Sequence, residues 1–551
     1  MIVTMRHLDL VCVAAEREAT LKRLRDFGAV HLDLAAAAGA AIDAAKSAES
    51  EAEQAVRLIL KARESQEAGE VRERSVADIL ALDADRERLK SAAEELRAQI
   101  RFYEPYGDFD PELARRLLEQ VEGLRDYVDL PAELPEKRLS VMREKLARVE
   151  HRAVIDTCRL AGCDERALLR KFPALADKIA FEQARELLRD HGAVAVISGW
   201  VPEPSVAGLR QCAAEAGWGL LLRAAAVGEN PPTLIEPPRF ARPVKALFAG
   251  LGIAPAYDES DVSVPFFAYF ALFFAMLVGD GAYGAIFLAV TLLMRRKLPR
   301  AWFVLLSVFS LATVAWGFLS DTWFGATLLQ TTAADGSLVP RWAWAEPLLG
   351  PARWLAGAGA QTGHEYDNMM FLCFTIGVSH LLLARLWNAI CRINSRTCLS
   401  EFGWAGVVLF MYVLTNFIVG IFGSIPTWCF AVFGVSFVLL FVQAKGMDKG
   451  MLFLNTMSVL GDIISYVRLF AVGLASVKVA QNFNAMAVGL DLPIWLKALP
   501  LVLILLVGHG LNLAMAGLSV LVHAVRLNTL EFSNHKGVSW AGYVFRPFRR
   551  S

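Results

Sequence analysis

Two arginines stand inside long apolar runs where a permanent positive charge is costly: Arg468 in GDIISYVRLFAVGLASVKVAQNFN and Arg526 in GHGLNLAMAGLSVLVHAVRLNTLEF. An arginine at the bilayer centre costs roughly 2.5–3.5 kcal/mol on insertion scales, and a pKa above about 12 keeps it cationic wherever it is placed. The chemistry open to such a group is electrostatic. A carboxylic acid brought within about 4–6 Å of it has its pKa lowered and is driven to ionise. Val467, Leu469, Phe470 and Ala471 surround Arg468, and the nearest carboxylate on the same segment, Asp462, lies six positions away, off the i+3/i+4 face. This pattern points to a carboxylate on another chain, with Arg526 supporting from the neighbouring helix. A static pair with Glu531 or Asp280 is the alternative.

The other polar groups in these segments are weaker signals. Lys478 and Glu531 lie towards helix ends, where snorkelling to the interface satisfies them. Asp462 and Ser465 are further supporting groups in the same run. Imidazole titrates near neutral pH, so His509 and His523 could each relay protons or serve as a hydrogen-bonded packing residue. Asp280 in LVGDGAYG and His380 in IGVSHLLLARL suit structural groups satisfied between helices. The eight cysteines are scattered without paired CxxC and His spacing, which suggests buried small apolar residues and neither metal site nor disulfide framework. No GxxxxGK[ST] loop occurs, so no nucleotide chemistry, cofactor or nucleic-acid partner is expected of this chain.

The elements that must position these residues follow from the chain's two unlike halves. Its 551 residues carry 56 basic and 56 acidic side chains, and a mean hydropathy of +0.41 excludes a disordered or charge-driven protein. Before about residue 262 the sequence is rich in Ala, Arg and Glu; from Val264 to Phe532 long apolar blocks recur. Spans are expected at 264–279, 281–294, 302–320, 369–390, 403–422, 428–444, 451–489 and 494–531. The first two fit a short hairpin through VGDGAYG, which places RRKLPR (295–300), ARLWNAICRINSR (384–396), QAKGMDK (443–449) and the C-terminal tail on the cytoplasmic side. The stretch 321–367, with Trp323, Trp342, Trp344 and Trp354, then faces outward. Eight crossings with both termini cytoplasmic result. The last two segments, about 38 residues each, are too long to stand upright, so they tilt strongly or break, with Gly508-His509-Gly510 as one bend.

In the first half, 2–14, 15–26 and 28–34 read strand, helix, strand, and Met1–Ala14 runs into charged helix with no visible signal peptide. The same order returns in 193–201, 204–216 and 219–227. Between them Leu82, Leu89, Ala93, Leu96 and Ile100 follow coiled-coil spacing in a Pro-free run from Ala36 to Ile100, and 137–193 can supply the returning helix. The expected fold is therefore an α+β cytoplasmic domain, two small α/β lobes joined by an antiparallel coiled coil, followed by an all-α polytopic membrane domain. The proximal lobe comprises 1–35 plus 193–262, the stalk 36–102 and about 140–192, the distal lobe 103–139, and the membrane domain 263–551. The Pro-rich ENPPTLIEPPRFARP links the halves.

SYVRLFAVGLA (465–475) with AQNFN (480–484), HAVRLNTLEF (523–532) and the closing YVFRPF (543–548) resemble subunit I of bacterial and archaeal V/A-type rotary ATPases, which is similar to subunit a of vacuolar proton pumps. GWVP (199–202), NPPT (230–233), YGDFD (106–110) and the PFF-to-GAYG run (265–284) support the match over nearly the whole chain. The resemblance implies a non-catalytic stator subunit of a prokaryotic plasma-membrane machine, in which Arg468 faces the ion-carrying carboxylate of a rotor proteolipid ring (c/K subunits) and Arg526 supports it. It also implies peripheral-stalk partners (E/G type), a central-stalk cap (d/C type) and coupling of proton or sodium flow to ATP synthesis or hydrolysis. Two departures stand out: a glutamate and a histidine of the vacuolar relatives are replaced here by Ala516 and Ser476, and SDVSV (260–264) stands where an Asp-Pro-Thr is usual. A secondary ion transporter with a coiled-coil regulatory domain would need an internal repeat, which the spans do not show, and a coiled-coil membrane sensor would not need two central arginines.

Overall fold

The computed structural model describes residues 1–551 apart from 35–36, 66–70, 122–127, 227, 333–337, 344–345, 347–348, 356–365, 396, 445–447, 490–492 and 551. Trp344, part of QAKGMDK and part of the expected distal lobe lie outside the described residues. The chain divides into two compact units, one of Met5–Ala224 with Arg546–Ser551 and one of Met1–Thr4 with Ala225–Phe545. Residues 225–262, grouped by sequence with the first sheet, fall in the second unit.

The first unit is built on a four-stranded antiparallel sheet in the order β2-β3-β1-β4: β1 Met5–Val13, β2 Arg189–His191, β3 Val194–Pro202 and β4 Gly219–Ala224. Alternation in MRHLDLVCV turns Leu8, Leu10 and Cys12 inward, where they meet Leu21 and Leu24 of α1 (Arg17–Phe27) and Ala195, Ile197 and Val201 of β3. The strand expected over 28–34 is reduced to one bridging pair, His31 with Trp200. The end of the chain packs in this unit, with Phe548 in its core and Arg546 N–H donating to His31 Nδ1 at 3.0 Å. Burial holds that imidazole below its ordinary 6.5.

The expected single helix from 36 to 100 is instead two, α2 Ala40–Ser65 and α3 Val76–Tyr103, the second opened by a Ser75/Asp78 capping box. Ala93, Leu96 and Ile100 are buried along α3, and Arg86 shares their face, bound to Asp83 at 2.5 Å. Beyond α4 (Pro111–Gln120), whose N-cap Asp110 also pairs with Arg138, α5 (Leu139–Ala161) packs on α3. Short α6 (Glu165–Leu169) leads to α7 (Phe172–Leu187), which packs on α2. α8 (Val206–Ala216) completes the unit.

The second unit is helical. After α9 (Val244–Leu251), α10 (Ser263–Val278) and α11 (Gly281–Leu293) form a pair bent by 119° at Gly279–Asp280. Asp280 caps α11 through Ala282 N–H at 2.8 Å. α12 (Arg300–Ser320) packs so closely on α11 that a Cβ at Gly317 would stand 2.2 Å from Gly281 Cα. α13 (Leu349–Leu355), α14 (Asp367–Cys391), α15 (Thr397–Ile418) and the shorter α16 (Thr427–Gln443) follow. The two final segments comprise α17 (Asp448–Ile464) with α18 (Val467–Val488), then α19 (Ile494–Ser519) with π-helical turns at Val520–Ala524 and Leu527–Phe532 and a last helical turn, α20 (Ser533–Lys536). Five helices among the described residues are long and apolar enough to cross a membrane, or six with the bent pair as one span; the eight spans expected from hydropathy are these five, the two arms of the bent pair and the shorter α16. Gly508-His509-Gly510 is no break: α19 runs through it, and Gly508 lets the Phe483 ring approach to where a Cβ would stand at 2.3 Å. Of the eight cysteines five are buried, whereas Cys391 is exposed.

Candidate functional site

Arg468 sits one residue after α18 begins, where the chain has just turned through Ser465–Tyr466. Its Nε donates to Ser465 O at 2.8 Å and its Nη2 to Glu531 Oε1 at 2.6 Å. Arg526 Nε stands 3.6 Å from the same oxygen. Glu531 is therefore buried between two guanidiniums, which corrects the expectation that it snorkels at a helix end, and the alternative of an in-chain partner for Arg468 is what the isolated chain adopts. The π-helical turns explain the pairing. Five residues along a regular α-helix are about 140° apart around its axis, whereas i→i+5 bonding brings positions such as 526 and 531 towards one side.

The carboxylate does not close the site. Oε2 of Glu531 is buried and has no hydrogen-bond partner among the described residues. Two guanidiniums share this one carboxylate, leaving the trio with a formal charge of +1. The Arg468 side chain is 21% exposed and that of Arg526 is 56% exposed, the latter beside exposed Val522 and Leu530. Arg526 lies inside the apolar span Ala498–Lys536, ten residues from its end, about 15 Å along the helix. That span and Lys449–Val488 are the least buried of the five, 17% and 28%.

Comparison with known proteins decides the family. The chain is 30% identical over its full length, and the relative's, to V-type ATP synthase subunit I 1 of Treponema pallidum. It belongs to the V-type ATP synthase subunit I family. The same 30% identity extends over 68% of the chain and 63% of subunit I of Borreliella burgdorferi, and 24% over 75% of the chain and 64% of A-type ATP synthase subunit I of Methanocaldococcus jannaschii. No protein-family model matches the chain. Subunit I is thus a membrane protein and an ATP synthase subunit, and its apolar helices fit that assignment.

The remaining sequence candidates of this subunit I scatter around the arginines. Ser465 joins them through its carbonyl, while its Oγ donates to Asp462 O at 2.7 Å. His523, one turn before Arg526, has a buried Nδ1 with no hydrogen-bond partner among the described residues. Lys478 is exposed and lines a cavity of about 250 Å³ with Asp321, Gln481 and Leu469. His509 is bound elsewhere, to Tyr283 and Asn484.

Asp462 belongs to a second charged cluster that sequence reasoning missed. Its Oδ2 meets His535 Nε2 at 3.0 Å, and His535 Nδ1 accepts from Arg385 Nε at 3.1 Å. Arg385 Nη1 also reaches Glu401 Oε2 at 3.3 Å, and Arg392 Nη1 holds the other oxygen at 3.0 Å. Asn388 accepts from Lys536 Nζ at 2.7 Å. The available signal was Glu401, a carboxylate two residues before an expected span. His380 is a packing residue, hydrogen-bonded to Tyr466 and stacked between Tyr269 and Phe532, and Asp280 is held by backbone N–H groups of Ala282 and Gly325.

Proposed function

We propose that this subunit I is the stator that carries ions past a rotor ring in a V/A-type rotary ATPase, with Arg468 facing the ring carboxylate and Arg526 supporting it. The observation that carries this reading is Arg526, half-exposed on an apolar face of the last long span and sharing with Arg468 a single carboxylate that is only half used. Lipid cannot offset such a charge, whereas a passing carboxylate can.

A ring carboxylate facing lipid stays neutral, protonated or ion-paired. Opposite the net positive trio its ionised form is favoured, and it gives up its ion. The next ring site loads from the other side through a second half-channel, and the guanidiniums block a direct leak between the two. Glu531 holds Arg468 between successive visits, so the arginine never faces the apolar phase unpaired. Asp462, Ser465, Lys478, His509 and His523 belong to the half-channels or support them. The helical first half is the stator arm, a coiled-coil stalk with a lobe at each end held by E/G-type peripheral-stalk subunits and near a d/C-type cap. The eight-crossing topology, with both termini cytoplasmic in a prokaryotic plasma membrane, follows from the loop charges.

Arg468→Ala in the assembled complex tests this: ATP-driven ion uptake into proteoliposomes is expected to fall to background while the complex still assembles. Uptake at the normal rate overturns the reading.

A further inference from the structure

A chain of polar side chains in the second unit surrounds one of the sequence candidates, His509. Tyr283 of α11, 1% exposed, places its Oη 2.8 Å from His509 Nδ1 of α19. Asn512 donates from Nδ2 to Tyr283 Oη at 3.0 Å and to Ser476 O at 2.8 Å, and its Oδ1 accepts from Ser476 Oγ at 3.2 Å. On the other side His509 Nε2 meets Asn484 Oδ1 at 3.1 Å, and Asn484 Nδ2 donates to Phe324 O at 2.6 Å. The Phe324 ring lies edge-on to both Tyr283 and His509, at 5.7 and 5.1 Å. Phe324 holds a left-handed φ of +50°, a conformation a non-glycine residue keeps only when its surroundings impose it. The next residue, Gly325, donates to Asp280 Oδ2 at 2.8 Å and accepts from Gln481 Nε2 at 3.1 Å. Gly325 and Gln481 line the 250 Å³ cavity that also reaches Leu469, the neighbour of Arg468.

The bond directions assign the proton. Asn484 Oδ1 can only accept, so the hydrogen of a neutral His509 sits on Nε2 and its bare Nδ1 accepts from Tyr283 Oη, which in turn accepts from Asn512. Buried polar groups inside an apolar bundle are expensive, and this set joins α11, α18 and α19 around one titratable ring.

We infer that His509, reached through Tyr283, is a proton-loading site on the ion path between the 321–330 end of the bundle and Arg468. Loading forms one N–H bond at Nδ1, as Tyr283 Oη gives up its hydrogen and takes the arriving proton; unloading reverses both. Ser476 is eight residues from Arg468, about 12 Å along the helix. Phe324 covers the ring, and the other titratable groups around it are Asp280 behind the Phe324–Gly325 turn and Asp321 and Lys478 along the cavity. The inference rests on the proposed stator function and adds to it the transported ion, a proton, and the residue that holds it.

His509→Gln tests it in the assembled complex in proteoliposomes. Glutamine can accept from Tyr283 and donate to Asn484, yet does not titrate. The expected result is an intact complex whose ATP-driven proton uptake drops at least tenfold, with His509→Gly partly rescued by added imidazole. Tyr283→Phe, which keeps the ring and removes the hydroxyl, is expected to give the same loss if His509→Gln assembles poorly. Wild-type proton uptake in either assembled variant overturns the inference, as does sodium-dependent uptake unaffected by them. Arg468→Ala measured in parallel separates the two claims: inactive Arg468→Ala with normal His509→Gln sinks only the loading site, whereas active Arg468→Ala sinks the stator reading itself.

Discussion

Two charged clusters lie within the membrane half, and they use their carboxylates differently. At Arg385–Glu401–Arg392 each oxygen of Glu401 has its own arginine, and Asp462 and His535 complete one another. At Arg468–Glu531–Arg526 both arginines lean on one oxygen and the other is unpartnered among the described residues, while each cluster has one half-exposed guanidinium, Arg392 at 54% and Arg526 at 56%. The first arrangement is saturated and suits a clasp between α14, α15 and the end of the last span. The second is unfinished and suits a site that another chain completes. Number of charges alone would not tell them apart; the use of each acceptor does.

Substitution at Glu401 should break the comparison most severely. Glu401→Gln leaves one of its two arginines facing an amide N–H₂, which costs up to about 3–5 kcal/mol if that arginine is the mostly buried Arg385 and less if it is half-exposed Arg392. The expected outcome is a large loss of folded subunit, read as recovery after detergent extraction and thermal unfolding, with normal transport per assembled complex. Glu531→Gln should do the reverse. Its remaining oxygen still accepts from Arg468, so assembly survives, while coupled ion uptake falls about tenfold, or ~1.4 kcal/mol, because the resident negative charge is gone. Equal losses of assembly from both substitutions would erase the distinction.

A smaller effect belongs to the first unit. His31 Nδ1 stands 3.0 Å from both the N–H and the carbonyl oxygen of Arg546, and burial lowers its pKa below 6.5. A group whose folded pKa is depressed contributes stability fully above its unfolded pKa and loses it as pH falls towards the folded value. Acidification below about pH 6.5 should therefore loosen the C-terminal segment by less than about 1 kcal/mol, detectable as faster amide exchange at residues 546–550, and His31→Gln should flatten that dependence.

Much of this was legible in the sequence. Unbalanced arginines in apolar runs are rare enough that Arg468 and Arg526 declare themselves, and alternation marks β1, β3 and β4. The pairing of Glu531 was not legible, because it depends on π-helical turns that shift its phase, and sequence periodicity assumes 3.6 residues per turn. The break between α2 and α3 was written as Ser75–Asp78, a capping signature that a coiled-coil reading passes over. Short β2 was hidden because RDH has no apolar alternation, and with the 28–34 segment it shares the edge of β3. The clasp at Glu401 joins residues 385 to 535 and has no local signature.

The most direct measurement of the central claim is contact between the arginine face and the rotor ring. Cysteine placed at Val522 or Leu530, both exposed beside Arg526, should form crosslinks to a cysteine next to the ion-carrying carboxylate of the ring proteolipid in the resting complex. After ATP turnover the same position should capture ring subunits that began elsewhere. Crosslinks confined to other partners, or none at all while both cysteines stay reactive, would contradict the account.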